Sequence, residues 1–214
     1  MLYKPWLGRE QRSMMNIKTN SWTWYRAWTN TLFHPNEDTW NTLLSEGNVS
    51  LGRAYVWITF TSLLFPLAYT VVAWIKFPHS INSSNILIFV TNIILIGVFE
   101  PIGFVVLTGV VHFLVKLFSK TGDYSSLFIT SATSYVPISI LRSLAATIRW
   151  LLAFKIGLYT GTILGVYFLA FVLPMIVKFN YQISLFKAFF VSVGVAILAY
   201  YAVIVLYATI GLGI

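Results

Sequence analysis

Glu100 is the one acidic residue set inside a long apolar run, and Pro101 beside it removes a backbone donor at the same point. A carboxylate at the centre of a bilayer costs about 2.5–3.5 kcal/mol on insertion scales, so it must face other helices, pair, or carry a proton. Pro101 leaves the carbonyl of Gly97 without its helical donor, and Gly97 and Gly103 bracket the position, so the sequence predicts a kink or a broken helix there. Two chemistries suit the pattern. One is a proton or ion site of the broken-helix kind. The other is a structural carboxyl, held by a Ser, Thr or Tyr hydroxyl of a neighbouring helix or by Arg142. Arg142 and Arg149 stand seven residues apart and so share one helix face. They can neutralise Glu100, bind lipid phosphate, or snorkel to an interface.

The three histidines, His34, His79 and His112, are scattered and make no metal-ligand spacing. His112 lies near the end of an apolar run among aromatics, where it can ligate a tetrapyrrole pigment or act as an interfacial hydrogen-bonder. No other cofactor is expected. Cysteine is absent, which removes thiol nucleophiles and Cys-based metal sites, and neither a G-x-S-x-G elbow nor a Gly-rich phosphate loop occurs. The expectation is a protein without enzymatic activity and with no catalytic residues. The net charge of +8 comes from residues flanking the apolar runs, so anionic lipid suits it better than nucleic acid.

Other residues suit packing and anchoring. Gly157, Gly161 and Gly165 form a doubled G-x-x-x-G, a groove where another backbone can approach. Ala188, Ser192 and Ala196 offer a matching small-residue stripe, so these two segments are expected to pack on each other. A second copy or another subunit are the other partners the groove would take. Trp24 and Trp28 fall on one side of a helical pattern with Leu32, which fits a helix lying in the membrane interface. Pro35 then suits the first position of a second helix that ends at Gly47. Trp57 and Trp74 lie near the two ends of one apolar run, about 26 Å apart on a helix, and suit the two interfaces.

The elements that must position these residues follow from composition. Of 214 residues, 58% are hydrophobic and 9% charged, with a mean hydropathy of +0.79, too few charges to coat a water-facing surface. Residues 1–53 hold six basic and four acidic residues and no long apolar run, and they read as a cytoplasmic head with amphipathic helices. From residue 54 onward, windows of about 20 apolar residues recur, the length that crosses a core of about 30 Å. They cover about 54–75, 86–118, 127–148, 151–173 and 185–210, the fourth stopped by Pro174. The runs are apolar on every face, which argues against a barrel of alternating strands. The fold class is thus an all-α integral membrane protein, a bundle of five transmembrane helices behind an amphipathic interfacial segment. A cytoplasmic head puts ten basic residues inside and four outside, so the N-terminus is expected inside and the C-terminus outside.

Five stretches occur in a fixed order: Thr31-Leu32-Phe33-His34-Pro35-Asn36-Glu37, His112 to Phe118, Thr121-Gly122-Asp123-Tyr124, Tyr135-Val136-Pro137, and Ile183 to Ala188. The ordered set, over roughly residues 28–210, resembles the Yip1 family of five-span membrane proteins. The resemblance implies a cytoplasmic N-terminus, five helices, no known catalytic activity, and partners among membrane proteins, which eukaryotic members meet in early secretory traffic. The head lacks the Asp-Leu-Tyr-Gly-Pro motif of those members, and its Pro35-Asn36-Glu37 is more similar to prokaryotic ones, which implies a prokaryotic cytoplasmic membrane. The function expected is to organise or stabilise membrane components by helix packing. The alternatives are an accessory subunit of a larger complex, holding pigment or lipid, and a small proton- or ion-coupled transporter using Glu100.

Overall fold

The computed structural model describes residues 24–45, 49–76, 83–151 and 154–209, and among these the regular elements are all helical. They are α1 (Trp24–Phe33), α2 (Glu37–Ser45), α3 (Leu51–Lys76), α4 (Ser83–Lys116), α5 (Tyr124–Leu151), α6 (Phe154–Tyr167), a π-turn (Phe168–Val172), α7 (Leu173–Tyr181) and α8 (Leu185–Thr209). Residues 1–23 of the head and Ile210 lie outside the described residues.

Polar caps set the helix starts. Asn36 Oδ1 accepts the Thr39 N–H at 2.9 Å, so Asn36 rather than Pro35 opens α2, with Glu37 and Asp38 in the first turn at the positive end of its dipole. Ser50 Oγ accepts from the Arg53 N–H at 3.2 Å and starts α3 before Ala54. Asp123 caps α5 and Ser184 caps α8 in the same way. At the end of α7, Gln182 takes a left-handed conformation with φ 52°, and its N–H bonds back to the Lys178 carbonyl.

Two sequence expectations are corrected here. Of the kink or break expected at Pro101, the break does not occur: α4 runs from Ser83 to Lys116 without interruption. Pro174 does not stop the fourth window either. The Leu173 N–H bonds to the Phe168 carbonyl, five residues back, so the chain widens into a π-turn just before the proline. Pro174 then stands in the first turn of α7, where its missing N–H costs no bond, and the helix continues to Tyr181.

Among the described residues, four helices are long and apolar enough to cross a membrane, with spans Leu51–Val72, Gly97–Lys116, Tyr124–Ala145 and Tyr159–Tyr181; Leu185–Leu198 is a shorter apolar helix segment. The least apolar span is the most enclosed: 67% of Tyr124–Ala145 is buried, against 28–38% of the others. α5 is therefore the central helix, with α3 and α6 as its main neighbours and α1 and α2 laid against it. Its Thr130, Ser131, Thr133 and Ser134 are all fully buried. Threonine hydroxyls there fold back onto their own helix, as Thr133 does onto the Ile129 carbonyl at 2.8 Å, which satisfies them where water is absent.

The glycine and alanine stripes are not paired as expected. α6, with Gly161 and Gly165, lies against α5, whereas α8 lies against α7, the π-turn and α4, burying Ala188 and Ser192 completely and Ala196 partly. The π-turn supplies a physical reason: one extra residue per turn rotates the chain, so α7 rather than α6 is presented to α8. A tight glycine contact occurs instead at Gly97, where the Leu63 side chain of α3 fills the space a Cβ would take.

Candidate functional site

The charged residues singled out in the sequence come together at one level. Glu100 is sixteen residues from the end of α4 at Lys116, and Arg142 eighteen from the start of α5 at Tyr124, about 24 and 27 Å of helix. Gly165 is sixteen residues before Tyr181 on the third wall. The three helices enclose a cavity of about 330 Å³, with Glu100 and Gly103 from α4, Tyr135 and Arg142 from α5, Gly165 from α6, and Phe168 from the π-turn.

Tyr135 organises the polar floor of this cavity. Its hydroxyl donates to Glu100 Oε1 at 2.8 Å and accepts from Arg142 Nη1 at 3.4 Å. Its ring is held between Phe104 and Phe168, each with centroids 5.1 Å away. Among the described residues the ion pair formed is Lys178–Glu37, at 3.1 Å, so Arg142 and Glu100 are joined through the tyrosine and not directly. Tyr135 appeared in a sequence motif but not among the expected site residues. Its spacing to Arg142 carries the signal: the two are seven residues apart, hence on one face of α5.

The cavity opens to the outer face of the bundle. Gly103 and Arg142 are exposed, and at Gly103, Gly161 and Gly165 an added Cβ would meet no atom within 4 Å. Gly103 and Gly165 therefore hold open the cleft instead of closing a helix contact, and Gly161 presents an open face one turn away on α6. Gly157 continues the stripe along α6, and its surroundings lie outside the described residues, as does the side chain of Arg149. Pro101 is buried beside Glu100 in α4.

His112 lies far from this cleft, at the end of the bundle reached by the 117–123 loop. Its Nδ1 hydrogen-bonds the Tyr181 hydroxyl, and its ring lies 5.7 Å from that of Tyr124, centroid to centroid. Ser119 and Thr121 each donate to the Tyr181 carbonyl at 2.7 Å. Asp123 Oδ1 and Oδ2 accept from the Ser126 N–H at 2.9 Å and the Ser126 hydroxyl at 2.7 Å. Partial burial pushes the Asp123 carboxyl up, but these Ser126 donors outweigh it and hold it below its ordinary value. Nothing in the spacing of Tyr181 marked it in the sequence.

The aromatic positions of the head divide. Trp24 is 57% exposed, whereas Trp28 packs edge-on against Trp57 of α3 with centroids 5.5 Å apart. The Thr31 hydroxyl reaches the Thr133 carbonyl of α5 at 3.1 Å, so α1 is fastened to the bundle as well as presenting Trp24 outward. Trp40 of α2 is fully buried against Phe179. Trp74, near the far end of α3, is exposed.

A family model described as the Yip1 domain matches residues 29–207. Neither the curated proteins nor the solved structures give a match to the chain. The matched segment runs from the second half of α1 through nearly all of α8, and takes in both the cleft and the loop-end cluster. With regular elements that are all helical among the described residues, four of them apolar enough to cross a bilayer, and with the family model matched over most of its length, the chain is an integral membrane protein and belongs to the Yip1 family.

Proposed function

We propose that this Yip1-family protein is a non-enzymatic organiser that holds other membrane components, helices or lipids, against its own bundle. In this reading residues 1–53 form a cytoplasmic head and residues 54–214 a transmembrane part of five crossings, α8 being the fifth. The N-terminus faces the cytoplasm of a prokaryotic cell and the C-terminus faces outward. The excess of basic residues on the head side supports that orientation. Trp24 and Trp74, both exposed, act as interfacial anchors, and Trp28 and Trp57 tie the head to the first span.

One observation carries the reading: Gly165, which lines the cleft, and Gly161, one turn before it on α6, have no atom of the chain within 4 Å of where a side chain would stand. A glycine face left open in a membrane is the geometry that receives a neighbouring apolar body. The test is Gly161→Ile. The chain has room for the added side chain, so the variant folds, and its expected effect is a loss of associated membrane components after crosslinking in native membranes and mild-detergent purification. Undiminished association sinks the reading. The same purification tests the accessory-subunit alternative, which requires fixed stoichiometric partners.

A second reading has its own support, because Glu100 lines a cavity inside the spans. A small proton- or ion-coupled transporter would use that carboxylate, and Glu100→Gln would abolish flux into liposomes. Flux equal to that of empty liposomes for the unaltered protein rejects it.

A further inference from the structure

We infer that the cleft between α4, α5 and α6 binds the headgroup of a zwitterionic phospholipid, its phosphate on Arg142 and its ammonium on Glu100. The inference rests on the reading of the cleft as a place where membrane components are held, and names the component.

Both charged groups retain unused capacity. Among the described residues, the Arg142 guanidinium has one partner, the Tyr135 hydroxyl, at a long 3.4 Å, which leaves most of its five donors unspent. Glu100 accepts from Tyr135 through Oε1 and makes no ion pair among the described residues. In water such groups would be hydrated. Inside a spanning segment they must find a partner in the protein or in the lipid.

The sign of the charges selects the partner. An anionic headgroup on Arg142 would stand beside the Glu100 carboxylate, and a simple cation on Glu100 would stand beside the guanidinium. A headgroup with both charges on one short chain meets each with its opposite. Tyr135 keeps the two protein charges from collapsing onto each other and so preserves the site.

The route of entry selects the source. On the same helices, next to Gly103 and Arg142 in the chain, Ile102, Leu141 and Leu144 are exposed apolar side chains that face acyl chains in a bilayer. A polar ligand arriving from that side carries its own apolar tails. Gly103 and Gly165 supply the room, and the cavity of about 330 Å³ is closed beneath by Phe104 and Phe168.

The experiment uses the full chain in nanodiscs of equal parts phosphatidylethanolamine, phosphatidylcholine and phosphatidylglycerol, with retained lipid counted by native mass spectrometry after gentle detergent exchange. The unaltered protein is expected to retain the two zwitterionic lipids about tenfold over phosphatidylglycerol, the ratio one charge-assisted hydrogen bond supplies. Arg142→Gln should lose the retained lipid. Glu100→Gln should shift the preference toward phosphatidylglycerol, because the guanidinium then stands without its acid. Retention in bulk proportion by the unaltered protein, or a preference for phosphatidylglycerol, overturns the inference and needs no variant. Gly165→Leu changes no charge and fills the cleft; if it leaves selectivity intact, the lipid lies elsewhere and the inference falls. Loss of association in Gly161→Ile without lipid selectivity would overturn the lipid assignment alone. Selectivity without that loss would leave the lipid assignment standing and remove helix packing.

Discussion

The two ends of the bundle spend their polar groups in opposite ways. At the 117–123 loop, His112, Tyr181, Ser119, Thr121 and Asp123 are bonded to one another or to nearby backbone, and the ring of Tyr181 fills the space over Gly122. At the cleft, one tyrosine hydroxyl serves both a carboxylate and a guanidinium, and two lining glycines, Gly103 and Gly165, face open space. The first region is a fastening in which His112, Ser119 and Thr121 are bonded to Tyr181 and so join α4 and the following loop to α7. The second holds donors, acceptors and volume in reserve. Spare polar capacity in a medium without water is costly to the fold, and its retention is what marks the cleft as the place where something else binds.

The contrast breaks most sharply at Gly122. Its φ is +79°, and an added Cβ would lie 2.5 Å from the Tyr181 ring and 2.6 Å from the Asn180 carbonyl oxygen. Gly122→Ala adds left-handed backbone strain to a clash with backbone, so a loss of about 3 kcal/mol is expected. Thermal unfolding in detergent measures it, and a loss under half that size would mean the loop is not the tight joint described. Tyr135→Phe is the counterpart at the cleft. It leaves Glu100 without its donor inside a span, which costs about 1–3 kcal/mol, and it also frees Arg142. If the cleft holds polar capacity in reserve, unfolding should report the lower part of that range, because the exposed guanidinium can turn toward the carboxylate.

How much of this was legible depended on whether a residue's role was local. The apolar windows located the helices because the bilayer fixes their length, and Glu100, Arg142 and Gly165 were recognisable because charge and small size are conspicuous inside apolar runs. The boundary at Pro174 was misread: a proline signals a stop only where its N–H would have been needed, and the π-turn removes that need. The partners of the glycine stripe were misread for a related reason, since spacing shows which residues share a face but not which helix that face meets. Tyr135 and Tyr181 are ordinary aromatics in sequence; what they do depends on residues 35 and 69 positions away.

Gly161→Ala sharpens the comparison with a smaller effect of opposite sign. With no atom within 4 Å of its Cβ, the alanine costs the chain no clash, and helix propensity alone makes it more stable by up to about 1 kcal/mol. The same substitution at Gly122 is strongly destabilising, so two glycine-to-alanine changes should move unfolding temperature in opposite directions. A destabilised Gly161→Ala would mean that the cleft is closed by this chain itself.

The smallest effect concerns charge at the fastened end. Asp123 sits below its ordinary value of 3.8 because the folded state stabilises its carboxylate through Ser126 and the start of α5. A group depressed in this way adds stability that is fully present above the ordinary value and disappears as pH falls through the lower folded one. Asn is also a competent cap, so Asp123→Asn removes only the charge, and the side chain is exposed enough for solvent and salt to screen much of it. The expected loss at pH 7 is a few tenths of a kcal/mol, and it should fade as pH drops below the ordinary carboxylate range and the native carboxyl gains its proton. A gap between the two proteins that persists unchanged into acid would show that Asp123 holds the α5 start by geometry alone, and that the fastening owes nothing to its charge.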